Sequence, residues 1–375
     1  MAFSSLGSPS RLPAMVTGLL LCLASPCVAQ SPEIGLSSPR LAGVDAVIGG
    51  ASGFAGVVGV EREGKVVHLA AYGVAERETG TPHRIDEIWR WSSVSKMITA
   101  ILILQQVDDG RIALDSPLRA YLPDFAVNAD RITIRQLLKH TSGLANANAG
   151  PDVAPADGTP DAYQQATDWR PACQAPPSAE PGAGFAYNNC DYFVLAEVLE
   201  AVTGQTYDQL IQMRIVQPLG LGSVGVPQGP ARREAYVDGQ PEPIQYPASW
   251  GAAAGVYGST RDLLAIQTAL MEGRLISAAS RAEMWAGDPQ AGFAALSVWS
   301  YEPDLKACLG KTRLVERYGE VGGVQVRTFM LPDQDVAIAV YSNDGSTTFG
   351  EVWRGEGLSV DILRAAACLP SPAAS

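Results

Sequence analysis

Two residues at a fixed interval carry the first chemical signal. In the stretch WRWSSVSKMITA, Trp89 to Ala100, Ser93 precedes Lys96 by three positions. A serine hydroxyl is a weak nucleophile and needs a base within hydrogen-bond reach. On a helix, positions i and i+3 share a face, so Ser93 and Lys96 can meet while Val94, Met97, Ile98 and Ile101 are buried elsewhere. Ser95 points away from that face. Ser92 lies four residues before Lys96, but its place at the expected helix start suits a cap. The start of a helix also offers unpaired amide groups to a developing oxyanion. A lysine becomes a base only where burial or a neighbouring cation lowers its pKa from about 10.4. With only five lysines, the chain would place a serine three residues before one of them in roughly one case in three by chance, so the pair needs context.

The surrounding elements supply that context. Ala55 to Glu61 and Lys65 to Tyr72 read as strands joined by Arg62-Glu63-Gly64, a hairpin. Near the other end, Gln325 to Leu331 and Val336 to Tyr341 flank Pro332-Asp333-Gln334-Asp335, a second hairpin. Helices are expected around Leu41 to Ile48, over Met97 to Val107, Ile134 to Lys139, Asp191 to Thr203 and Thr260 to Leu270, and from about Gly357 to Cys368. Strands at both ends with helices between them predict one sheet built from both termini. Residues 145–184, rich in Ala, Pro and Asp, read as a loop, with Asp152, Asp157, Asp161, Asp168 and Glu180 facing only Arg170.

With 375 residues, 47% of them hydrophobic, the chain can bury a large core, which excludes disorder throughout. Residues 1–29 read as a secretory signal: Arg11, the apolar run Met15 to Ala24, and the small-residue exit Val28-Ala29. That run is too short for a lasting membrane anchor. The net charge of −12 becomes one unit more negative without Arg11, which speaks against nucleic acid and anionic membranes as partners. Cys173, Cys190, Cys308 and Cys368 remain after the signal. Their order favours Cys173 with Cys190 and Cys308 with Cys368, among three possible pairings and the alternative of four free thiols. His68, His83 and His140 do not cluster with them at metal-ligand spacing, so no metal is expected.

Several ordered motifs then resemble the serine β-lactamase family of class C type, which also holds D-alanyl-D-alanine carboxypeptidases, D-aminopeptidases and family VIII esterases. They are the segment around WSSVSK, then ALDSPLRAYLPDF (Ala113 to Phe125), ITIRQLLKHTSGL (Ile132 to Leu144), the run from Tyr187 to Leu221 that opens YNNCDY, and GVYGSTRDLLAIQ (Gly255 to Gln267). The resemblance implies an α/β (α+β) fold of β-lactamase/transpeptidase type: an antiparallel sheet flanked by helices, with an inserted helical lobe. In those terms residues 30–370 form the hydrolase domain, with the sheet lobe from about 41–92 and 285–370, the helical lobe from about 93–284, and the acidic loop at 145–184. It further implies that Ser93 is acylated, Lys96 belongs to the base system, Tyr187 of the YxN motif shuttles the proton, and Asn189 orients the substrate. His140, in HTSGL, is a structural turn.

A third motif, KTG in lactamases and HxG or a related triplet in other members, is expected within YGEVGGVQVRTFM, Tyr318 to Met330. That alignment puts Glu320, Val321 and Gly322 at the motif, with the Gly323 amide as second oxyanion donor beside that of Ser93. A rival alignment uses Lys311-Thr312-Arg313. An acid at Glu320 would repel anionic substrates. The expected activity is therefore acyl transfer, without metal or organic cofactor, on neutral or amine-bearing small esters, amides or peptides. The alternatives are a β-lactamase or D-alanyl-D-alanine carboxypeptidase, and a binding protein without turnover. The expected location is the periplasm or the medium. A Cys173–Cys190 bridge would tether the acidic loop to the YxN motif, and Trp169, Tyr246 and Trp250 are candidates for an acyl pocket or for ordinary packing.

Overall fold

The computed structural model describes residues 41–146, 169–231 and 235–368. The signal segment, Asp152, Asp157, Asp161 and Asp168 fall outside them.

Six strands form one antiparallel sheet: β1 (Gly56–Arg62), β2 (Lys65–Tyr72), β3 (Trp299–Tyr301), β4 (Leu314–Val321), β5 (Val324–Leu331) and β6 (Val336–Ser342), in the order β2-β1-β6-β5-β4-β3. The two ends of the chain meet in its middle, where β1 pairs with β6 from Gly56 opposite Ser342 to Arg62 opposite Val336. The first hairpin turns through Glu63 and Gly64, both with positive φ, the conformation whose twist matches that of the flanking strands. The sheet is covered on both faces, so its central strands are apolar on both sides. From β6, Val336, Ile338 and Val340 pack with α1 (Ala42–Gly50) and the C-terminal helix Leu358–Ala367, while Ala337, Ala339 and Tyr341 face the larger core.

That larger core is organised around α2 (Ser95–Asp108), whose residues from Ser95 to Gln106 are all buried. A helix apolar on every side belongs in an interior. Around it stand α3 (Ile134–Leu138), α4 (Cys190–Thr203), α5 (Pro247–Ala254) and α6 (Thr260–Met271). Thr133 and Gln136 cap α3 reciprocally, Ser259 caps α6, and Gly204 in the left-handed region ends α4. Helix α5 breaks at Gly251 (φ 40°), and beyond the break the carbonyls of Ala252 and Ala253 accept hydrogen bonds from Thr99 and Lys96 of α2.

Cys173–Cys190 and Cys308–Cys368 are disulfide-bonded, the pairing that chain order favours. The first bridge joins the segment after residue 168 to the start of α4; the second ties the loop before β4 to the C-terminal helix. Glu180 pairs with Arg131, and Arg170 with Glu197, so the described acid and arginine of the loop both pair with charges outside it.

Candidate active site

Ser93 sits in the single 3-10 turn Ser92–Val94 that leads into α2. Ser92 takes a positive φ of 49° and its side chain caps nothing, in contrast to the cap expected of it. The turn is fastened from outside: Trp91 bonds through its backbone to Val256 and through its indole to Gly258, and the Ser95 hydroxyl accepts from the Val256 amide. Strand β4 approaches so closely that a Cβ on Gly319 would stand 2.6 Å from the Trp91 carbonyl oxygen and 2.7 Å from the Ser93 nitrogen. Only glycine fits there.

Four polar side chains gather at Ser93, two of them reaching its hydroxyl. Tyr187 Oη lies 2.7 Å from it and Lys96 Nζ 3.4 Å. Lys96, fully buried, also donates to Asn189 Oδ1 at 2.6 Å and to the Ala253 carbonyl at 2.8 Å. Three acceptors around one nitrogen match the three donors of an ammonium and exceed the two of a neutral amine. The fourth side chain is Arg317 of β4, 2% exposed, which donates through Nη2 to Tyr187 Oη at 3.1 Å and through Nε to the Ser93 carbonyl at 3.0 Å.

These neighbours set the ionisation. Burial pulls Lys96 down to about 8; Tyr187 opposes that pull and Arg317 adds to it. For Tyr187 burial acts against the phenolate, yet Lys96 and Arg317 together outweigh it and bring the phenol down to about 8. His140 has a positive φ of 57° and its ring packs 4.6 Å from that of Tyr187. Burial, Arg317 and Lys96 all hold its pKa well below the usual range. The imidazole accepts from the Asn188 amide at 3.2 Å and touches Asp191, whose own carboxyl burial drives upward. Both groups buttress the back of Tyr187.

Sequence reasoning misplaced the third motif. The Glu320 side chain is half exposed and paired with Arg327 of β5 at 2.5 Å, on the face of β4 opposite Arg317. Gly322 and Gly323 form the two-residue turn between β4 and β5, with Val321 opposite Val324. They lie against a fully buried ion pair: Glu242 Oε2 is 2.8 Å from Arg90 Nη2 and accepts from the Gly323 amide at 3.3 Å, and a Cβ on Gly322 would meet that carboxylate at 2.1 Å. The glycines at this turn make room for the ion pair, and the Gly323 amide is already engaged. The rival stretch also falls elsewhere, with Lys311 and Arg313 exposed and Thr312 bonded to Gln334. The triplet that meets the Ser93 turn is Arg317-Tyr318-Gly319, so the cation expected to be missing is an arginine. Trp250 is buried, and Trp169 stacks on Phe193 at 5.9 Å.

Comparison with known proteins identifies the family and the fold. The sequence matches the family model described as Beta-lactamase over residues 44–359. It is 34% identical to esterase EstB of Burkholderia gladioli over 55% of this chain and 62% of that protein, and 30% identical to penicillin-binding protein 4 of Amycolatopsis lactamdurans over 63% and 65%. The matches thus span somewhat under two thirds of these relatives' lengths. Among solved structures, a D-stereospecific amidohydrolase from Streptomyces superposes with a TM-score of 0.68 at 24% identity, covering 88% of this chain and 99% of that one. The D-amino acid amidase of Ochrobactrum anthropi SV3 gives 0.69 at 19%, covering 86% and 97%. At such identities the likeness speaks for the fold, and together with the family match it establishes that the chain belongs to the β-lactamase family.

Proposed function

We propose that the protein is an exported serine hydrolase that forms an acyl-enzyme on Ser93 and acts on small uncharged esters or amides. The observation that carries this reading is the 2.7 Å contact between Tyr187 and Ser93, flanked by the two cations that lower the phenol's pKa. The Ser93 proton passes to the Tyr187 phenolate while Ser93 Oγ bonds to the acyl carbon. The oxyanion is received by the Ser93 amide and by the amide that follows the close-packed Gly319, that of Glu320. Tyr187 then returns the proton to the leaving oxygen or nitrogen, and water repeats the sequence to free the acid. Lys96 remains an ammonium throughout and acts as an electrostatic partner.

A charge filter at Glu320 has no place in this scheme. The preference for uncharged acyl groups rests instead on Arg317, which is buried and already bonded to Ser93 and Tyr187, and so is poorly placed to clamp a substrate carboxylate. The name of the EstB relative, an esterase, is consistent with this. Export is supported by the two disulfides, which persist in oxidising compartments. No helix among the described residues is long and apolar enough to cross a membrane.

The test is hydrolysis of p-nitrophenyl butyrate and of nitrocefin by the wild type and by Ser93→Ala. Ester turnover lost in the variant, with slow nitrocefin cleavage, is the expected result. Efficient nitrocefin cleavage would favour the lactamase reading, and no turnover of either substrate would favour a binding protein.

A further inference from the structure

The face of β4 opposite Arg317 carries a second cavity, of about 440 Å³, separate from the cleft at Ser93. Five of its lining residues are aromatic: Phe293, Trp299, Tyr301, Tyr318 and Trp353. Trp299 and Tyr318 stack at 5.0 Å, Phe293 and Tyr301 lie 5.7 Å apart, and Trp353 is 61% exposed at the mouth. So many rings gathered around one opening are unusual at a surface, where apolar area of this kind marks a binding site.

The polar lining is of one sign. Glu316, opposite Trp299 in the sheet, accepts from the Tyr301 hydroxyl at 2.6 Å, and Glu351 accepts from the Trp353 indole at 3.1 Å. Burial pushes Glu316 up to about 7, with repulsion from Glu351 adding to it and Arg327 partly relieving it. No basic residue lines the cavity among the described residues. Arg317 stands over Trp299 at 5.1 Å, Arg327 over Tyr318 at 5.2 Å and Arg354 over Trp353 at 4.8 Å. These guanidiniums and the Trp299–Tyr318 stack already engage three of the five rings, so the ring surface left to a ligand is that of Phe293, Tyr301 and the open side of the exposed Trp353.

We propose that this cavity is a recognition site for an organic ammonium group, of the trimethylammonium type, held by the rings and by Glu316 and Glu351. Electron-rich ring faces attract a cation whose charge is spread over methyl groups, and such an ion sheds its water easily. The carboxylates favour it over a neutral body of the same shape. Nothing in the reaction at Ser93 uses these residues. Free choline-like solutes and the headgroup of phosphatidylcholine present the same chemistry.

The test is calorimetric titration of the full-length protein with tetramethylammonium and choline, set against 3,3-dimethyl-1-butanol, the neutral counterpart of choline. Choline is expected to bind at least about tenfold more tightly than the alcohol. Trp353→Ala and Glu316→Gln should each weaken it by about threefold to tenfold, while thermal melting of Trp353→Ala stays within a few degrees of wild type. Retention on phosphatidylcholine vesicles that Trp353→Ala abolishes would assign the lipid source; binding of choline without retention would assign a free solute. Equal affinity for the neutral alcohol, affinity unchanged in both variants, or no binding at 100 mM of either cation would overturn the proposal.

Discussion

Replacing Arg317 by methionine isolates the electrostatic half of the mechanism. The guanidinium stands 3.1 Å from Tyr187 Oη and, with Lys96, holds the phenol near 8 against the opposing effect of burial. A unit charge at about 4 Å with an effective dielectric near 20 is worth ~4 kcal/mol, an upper bound of about three pKa units. Ser93 and the cleft admit solvent, so a rise of one to two units is the working figure. A phenol near 8 is about one tenth ionised at pH 7; at 9 to 10 the fraction falls to between about one hundredth and one thousandth. The expected kcat/KM for p-nitrophenyl butyrate at pH 7 therefore drops by about 10- to 100-fold. Because the phenolate is the active form, activity rises with pH toward 8, above which Lys96 gives up its proton as well, and in Arg317→Met the rising limb should come one to two units later and recover part of the loss. Arg317→Lys keeps a positive charge and should move the profile less. The assay is a pH–rate profile of all three proteins, with Ser93→Ala subtracted as background. A limb that stays within a few tenths of a unit of wild type, or a loss that is the same at every pH, would refute the reasoning and reduce Arg317 to a structural tie.

Three further outcomes follow from the same geometry. Gly319→Ala forces a methyl against two backbone atoms beside Ser93 and should cost at least about 100-fold in kcat, whereas Glu320→Gln, altering an exposed ion pair, should stay within about threefold; steady-state kinetics of the two, with a melt to check folding, decides between the two placements of the motif. Lys96→Met should be inactive yet as stable as wild type or more so, since a lysine pulled from 10.5 to about 8 by burial carries a desolvation cost of roughly 3 kcal/mol, partly offset by its hydrogen bonds. Between pH 8 and 10.5 the unfolded chain holds the proton that the folded one has lost, so wild-type stability rises with pH there and the variant's advantage shrinks; denaturant unfolding at pH 7 and pH 10 measures it. Replacing Cys173 and Cys190 together opens a loop of 17 residues and should cost about 3 kcal/mol, and a changed ratio of kcat/KM between short and long acyl esters would place the tethered segment at the cleft.

Much of this molecule is legible in its sequence because its local signals agree. The strands of the first hairpin, the helix after Ser93, the helix after Thr133 and the strand of β6 all lie within a residue or two of where periodicity puts them. The third motif was misplaced for a definable reason. The motif was aligned on Glu320-Val321-Gly322 without a strand assigned before Gln325, although Gly322-Gly323 between Val321 and Val324 is the two-residue signal of a tight hairpin. Reading that turn moves the strand beside Ser93 back to Leu314–Val321, where Arg317 and Gly319 alternate onto one face. The Arg90–Glu242 pair could not be found this way, since its members are 152 residues apart and nothing local marks them as partners.

The pairing of β1 with β6 also constrains when the protein can become itself. During synthesis the N-terminal hairpin is made early, but its neighbour in the sheet is not available until residue 342 has been translated, and Arg317 reaches Tyr187 only then. Contacts so distant along the chain make for slow closure. A nascent chain of this design keeps its central sheet open until β6 has been made.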